Sequence, residues 1–110
     1  ANADFQPWDS TFSIPADTDI VVNATSIGLY PDVDAEPDIE YGSLTSDMVV
    51  ADGIHNPPMT KLLKAASARG CQTVDGLSML VGQGVIGLKY WTGIDADADV
   101  MRNALLELEL

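Results

Sequence analysis

Three short apolar runs punctuate the chain, and longer amphipathic stretches lie after the second of them. The runs are Asp19–Ala24 (DIVVNA), Met48–Asp52 (MVVAD) and Gln72–Val74 (QTV). Short apolar runs without polar alternation predict strands buried on both faces of a parallel sheet. Thr60–Arg69 predicts a helix, with Leu62, Leu63 and Ala66 on one face and Lys61 and Lys64 outside. Pro57 and Pro58 suit its entry, and Arg69 with Gly70 suits its end. Ser78–Trp91 predicts a long helix. Val100–Leu108 predicts a last one, capped by Asp95–Asp99, with Val100, Leu105 and Leu108 plus Ala104 or Leu106 on its apolar face.

The remaining segments are weaker. Phe5–Trp8 predicts a short edge strand, with Pro7 keeping it out of any central position. Tyr30–Tyr41 holds three aspartates, two glutamates and two prolines and predicts a surface loop, and Ser43–Ser46 predicts a single helical turn. The order strand, loop, strand, helix, strand, helix, helix is that of an α/β fold with a parallel sheet. The run Asp19–Ala24 is too apolar for an exposed edge. It calls for a neighbouring strand that the chain does not supply, so the expectation is half of a doubly wound sheet of three to four strands with flanking helices.

Charge and composition then narrow the function. Seventeen acidic residues face five basic ones, for a net charge of −12. That balance repels phosphate backbones and anionic lipid surfaces, so neither nucleic acid nor a membrane is an expected partner. No apolar run approaches the ~18 residues of a membrane span, and the first residues do not resemble a secretory signal. The expectation is a cytoplasmic protein. The lone Cys71 excludes an internal disulfide and an all-cysteine zinc site, and no metal site is expected.

The chemistry concentrates in Thr73–Gln83 (TVDGLSMLVGQ), where a strand end meets a helix start. Asp75-Gly76 is a turn signal, and Gly76 permits close backbone approach or a positive φ. Met79, Leu80 and Gln83 follow at helical spacing. In open parallel sheets, ligands bind beyond the carboxyl ends of the strands, which is where Gly76 falls and where Gln83 would point. Three glycines in the same helix, Gly82, Gly84 and Gly87, each cost roughly 1 kcal/mol relative to alanine and suggest close packing. Gly82–Gly87 spells G-x-G-x-x-G, but within a helix rather than at a strand-to-helix turn, so it fails the context that a dinucleotide fingerprint needs.

Four motifs in order now bear on family: NATSIG at Asn23–Gly28, VADGIHNPPMTKLL at Val50–Leu63, GCQTVDGLSMLVGQG at Gly70–Gly84 and YWTG at Tyr90–Gly93. Their order and spacing resemble the shikimate dehydrogenases, and most of all the quinate/shikimate branch. The resemblance runs from about Asp19 to Leu110. It implies an oxidoreductase that moves a hydride between NADP or NAD and shikimate or quinate, in aromatic amino-acid biosynthesis. It further implies that residues 1–93 are the C-terminal part of a Rossmann-type cofactor domain. Residues 94–110 would be a helix returning to an N-terminal substrate domain, which is missing here together with the catalytic pair and the diphosphate loop. No catalytic residue is therefore expected in this chain, and it is expected to be inactive alone.

By the same resemblance, Asn23, Thr25, Gly53, Gly76 and Met79 would line the cofactor, and His55 and Gln83 would meet the substrate. His55 stands where the family usually carries a tyrosine, which bears on the identity of the substrate. Each of these residues also has a structural reading. Asn23 and Thr25 can form their own turn, His55 can be a satisfied structural histidine, and Met79 can be core. Asp52 reads as a turn residue, and Tyr90 and Trp91 as packing residues. A different class of function stays open as well: an unpaired strand edge invites association, so the chain could serve as an oligomerising or partner-binding module. A folate-linked dehydrogenase would share the architecture but lacks the NPPMTKLL and TVDGLSMLVGQ pair.

Overall fold

A computed structural model describes residues 2–108. Its central feature is a parallel three-stranded sheet in the order β2–β4–β5 (Ile20–Asn23, Val49–Asp52 and Gln72–Val74). The register pairs Val21 with Val50 and Val50 with Thr73, and Val22 with Ala51 and Ala51 with Val74. A second, minimal sheet pairs β1 (Phe12–Ser13) with β3 (Ile39–Glu40), also in parallel. The helices are α1 (Lys61–Ala68), α2 (Gly76–Thr92) and α3 (Ala98–Glu107), with one 3-10 turn at Tyr41–Ser43. This is the expected α/β half-sheet.

One face of the sheet carries the core. Val50 is fully buried with Leu62, Leu63 and Ala66 of α1, Leu44 and Met48 of the crossover loop, Ile14 and Cys71. Val21 packs against this cluster from the neighbouring strand. Thr60 caps α1 by accepting from the Leu63 N–H at 3.3 Å, as a threonine before an apolar-periodic stretch should. Arg69 ends that helix, and its side chain donates to the carbonyls of Leu44 (2.8 Å) and Gly42 (3.0 Å), tying the crossover loop to α1.

Side chains alternate across a strand, so the register puts Ile20, Val22 and Val74 on the opposite face with Val49 and Ala51. That face is open: Ile20 is 63 % and Val22 62 % exposed. The reading of Asp19–Ala24 and Gln72–Val74 as buried on both faces is therefore corrected. β2 and β5 are the two edges of this sheet, and no described element covers the second face.

Other expectations shift for local reasons. Phe5–Trp8 is not a strand; the edge pairing falls on Phe12–Ser13 instead, and the Trp8 indole N–H donates to the Asp38 carbonyl at 3.0 Å. The loop Tyr30–Tyr41 contains β3, and the single turn predicted at Ser43–Ser46 is the 3-10 turn two residues earlier. α2 starts at Gly76 rather than Ser78, because Asp75 is the N-cap and accepts from the Ser78 N–H. α3 faces α2 with Met101, and Leu105 is half-buried, whereas Val100, Leu106 and Leu108 are exposed. Tyr90 and Trp91, read as packing residues, are 85 % and 82 % exposed, and the Trp91 ring lies back over Gly87 of its own helix. Of the three helix glycines, Gly84 lies against Met101 of α3 and Gly87 lies under the Trp91 ring. Gly82 meets open space.

Candidate nicotinamide and substrate wall

The carboxyl ends of β2, β4 and β5 release three short turns side by side. The first two are joined by a buried polar network centred on Asp52. Its Oδ1 accepts from the Asn23 amide (3.1 Å) and the Ile54 N–H (3.0 Å), and its Oδ2 accepts from the Thr60 hydroxyl (2.7 Å). The Gly53 N–H donates to the Asn23 carbonyl at 3.0 Å, extending the ladder one residue past the strand. Asp52 is 3 % exposed and every oxygen is used, so it organises the turns, as the sequence suggested, rather than offering a free acid.

Asn23 is buried and spends its side chain locally. Its Oδ1 accepts from the Thr25 N–H and hydroxyl at 3.1 and 2.6 Å, and its Nδ2 also reaches the Ile27 carbonyl. Thr25 Oγ1 in turn accepts from the Ile27 N–H at 3.1 Å. Thr25 is otherwise exposed at the rim. Both side chains thus build the turn, and what they offer a ligand is chiefly the shape of that turn. An apolar cavity of about 250 Å³ adjoins them, walled by Trp8, Phe12, Ile14 and Leu62.

The third turn is locked onto the second. A Cβ on Gly76 would sit 2.1 Å from the Ile54 carbonyl oxygen and 2.7 Å from the His55 nitrogen. No side chain fits there, so Gly76 is required for close approach and not for an unusual φ. One turn further, the Met79 methyl lies 3.7 Å from where a Cβ on Gly53 would be. Met79 is nonetheless 49 % exposed, so it forms a wall and not core. Gln83, four residues on, is exposed on the same helical face, about 6 Å further along the axis. The fold therefore brings Asn23, Thr25, Gly53, Gly76 and Met79 to one rim, the adjoining turns at the carboxyl end of the sheet. His55 joins it through its backbone with a half-buried side chain, and Gln83 stands above it without direct contact.

Residues that the motif reading passed over complete the construction. Thr60 closes the Asp52 network from α1. Arg102 of α3 grips the Asp75 carboxylate, with Nη1 to Oδ1 at 3.1 Å and Nη2 to Oδ2 at 2.5 Å. The guanidinium beside it draws the Asp75 carboxyl down from its ordinary value to about 2. Asp75 and Arg102 lie 27 positions apart and share no periodicity, so only an Asp before the helix start hinted at the pair.

Residues 76–106, which contain α2 and most of α3, match the family model described as the shikimate 5'-dehydrogenase C-terminal domain. Relatives extend the match over both remaining strand turns. The chain belongs to the shikimate dehydrogenase family. It is 46 % identical over 89 residues to the NADP(+) shikimate dehydrogenase of Methanocaldococcus jannaschii, covering 81 % of this chain and 32 % of that protein. Among solved structures, the ligand-free 5-ketofructose reductase of a Gluconobacter strain is 54 % identical with a TM-score of 0.89, over 94 % of this chain and 37 % of that one. The quinate dehydrogenase of Corynebacterium glutamicum in complex with NAD is 38 % identical with a TM-score of 0.74, over 84 % and 32 %. The chain spans about a third of the length of the curated shikimate dehydrogenases that it matches, and its sheet is the corresponding part of their Rossmann-type domain.

Proposed function

We propose that this chain is the C-terminal part of an NAD(P)-dependent dehydrogenase that interconverts a ring hydroxyl and ketone of the shikimate/quinate class. The observation that carries the reading is the seat of Met79 on Gly53 beside the Gly76–Ile54 contact. It makes a smooth, side-chain-poor wall at the carboxyl edge of a parallel sheet, where such folds take ligands. The wall suits a flat ring: Gly53 offers backbone, Met79 a polarisable face, and the Asn23–Thr25 turn a fixed rim. NADP or NAD would supply the hydride chemistry when bound, and the protein supplies position.

In this reading Gln83 carries donors and an acceptor suited to substrate hydroxyls. His55 offers a hydrogen bond or, when protonated, attraction for a carboxylate. Residues 1–93 belong to the cofactor domain, and residues 94–110 pack back on a preceding substrate domain that holds the proton-transfer pair. The open sheet face and the exposed Tyr90 and Trp91 support a larger protein around this segment. The parent would work in the cytoplasm, in aromatic amino-acid biosynthesis, and self-association would be a property of the parent.

A second reading keeps the reaction and changes the substrate. The 54 % identity to a 5-ketofructose reductase, with His55 in the crevice, favours an acyclic or sugar ketone. The deciding assay uses the full-length parent with shikimate, quinate and 5-ketofructose, each with NAD(H) and NADP(H). Turnover of a cyclic acid supports the first reading, and turnover of the keto-sugar alone supports the second. Absence of turnover in all pairings overturns both.

A further inference from the structure

Arg102 has no part in the reaction proposed above, yet it is tied to the crevice wall. α3 lies along α2, with the Met101 sulfur 3.3 Å from where a Cβ on Gly84 would be. From the next position Arg102 reaches the first turn of α2. Its two prongs take both oxygens of Asp75, and Nη1 also donates to the Ser78 hydroxyl at 3.2 Å. Only a guanidinium offers that planar fork. The same Asp75 Oδ1 accepts from the Ser78 N–H and hydroxyl at 2.9 Å, so one carboxylate caps α2 and receives α3.

The next residue, Gly76, is the one jammed against the Ile54 carbonyl. That contact limits how closely α2 approaches β4, but a helix end held at one point can still pivot about it. Arg102 gives the same turn a second attachment, to a different element. Three and seven residues beyond Gly76 come Met79 and Gln83, so a pivot at the first turn displaces both.

We infer that Arg102 is a positioning residue: through Asp75 it fixes the tilt of the first turns of α2, and with it the placement of Met79 and Gln83 in the crevice. The inference rests on the proposed dehydrogenase function and adds to it a residue outside the crevice. The carboxylate stays ionised over the working pH range, because Arg102 holds its pKa near 2, so the clamp is a constant fixture and not a switch.

The test uses the full-length parent with Arg102→Met, Arg102→Lys, Asp75→Asn and the Asp75→Asn/Arg102→Met pair. Asn still caps a helix as well as Asp, and Met keeps the apolar stem of Arg. We expect Arg102→Met to raise KM for the carbonyl substrate, which Gln83 meets, roughly tenfold, the scale of a slight misplacement, and to raise KM for the cofactor, which Met79 lines, by a smaller factor. Arg102→Lys should recover only part of the loss. Asp75→Asn should match Arg102→Met, and the pair should be no worse than either. Unchanged KM for both substrate and cofactor in Arg102→Met, or additive losses in the pair, would each overturn the inference. If the unaltered parent turns over no ketone with either cofactor, the functional reading fails instead. The clamp is then decided by amide hydrogen exchange: faster exchange confined to residues 77–80 in Arg102→Met supports it, and no such local change refutes it.

Discussion

The two ends of α2 are built on opposite terms. At the N-terminal end every degree of freedom is taken. Asp75 caps the helix, Arg102 grips the cap, Gly76 abuts the Ile54 carbonyl and Met79 rests on Gly53. At the C-terminal end, Gly93 closes the helix in a left-handed conformation, and the large side chains before it, Tyr90 and Trp91, are mostly exposed. The Lys89–Asp95 pair there is mostly exposed and contributes little. One end needs nothing beyond this chain to be defined, whereas the other has the composition of a buried helix and no described neighbour. A ligand wall must be fixed in advance of binding, and a docking surface need only be apolar. On the proposed function, the first end would face the ligand and the second the rest of the parent.

The contrast can be broken most forcefully at Gly76. Gly76→Ala drives a methyl to 2.1 Å from a backbone oxygen, which nothing but backbone displacement relieves. We expect a loss of roughly 3 kcal/mol or more in urea unfolding of the parent. Next comes Asp52→Ala, which strips the acceptor from Asn23, Ile54 and Thr60 together. A loss of about 3 kcal/mol is expected, and Asp52→Asn should retain part of it.

Asp75→Ala should cost about 1–2 kcal/mol through the cap alone, with a distinct pH signature. The folded carboxyl lies near 2, below its ordinary 3.8. Its stabilisation is therefore present in full above the ordinary value and lost as pH falls towards 2. In Asp75→Ala that component of the acid limb should vanish from the stability curve, while stability between pH 6 and 8 falls uniformly. The smallest effect belongs to the other end. Tyr90→Ser and Trp91→Ser should change the stability of the 110-residue chain by less than about 0.5 kcal/mol, as exposed substitutions do. The same changes in the full-length parent should cost more if that face is covered there. Equal effects in chain and parent would remove the contrast.

How far the sequence disclosed this follows from where the signal lay. Strands β2, β4 and β5 and all three helices were legible, since their apolar runs and helical spacing span enough residues to stand out. β1 and β3 were not. Two residues each, Phe12–Ser13 and Ile39–Glu40 carry no period, and their pairing is decided by the fold around them. Burial was over-read for Ile20 and Val22, because an apolar strand announces a covered face without saying which molecule or segment covers it. The motifs singled out Gly76 but left close approach and positive φ undecided; the Ile54 carbonyl shows that close approach requires the glycine. Asn23 and Thr25 could be placed at the turn but not resolved as a self-satisfied pair. Arg102 was invisible, since a bond across 27 residues leaves no local trace.

The most direct test of the central claim labels the methionine methyls of the full-length parent with carbon-13 and titrates it with NAD(P)H. This segment contributes four such methyls: Met48, Met59, Met79 and Met101. The account predicts that the Met79 methyl shifts on cofactor binding and shows a contact to the nicotinamide ring, while buried Met48 and Met101 on the α3 side stay in place. Cofactor binding that leaves Met79 unmoved would contradict it.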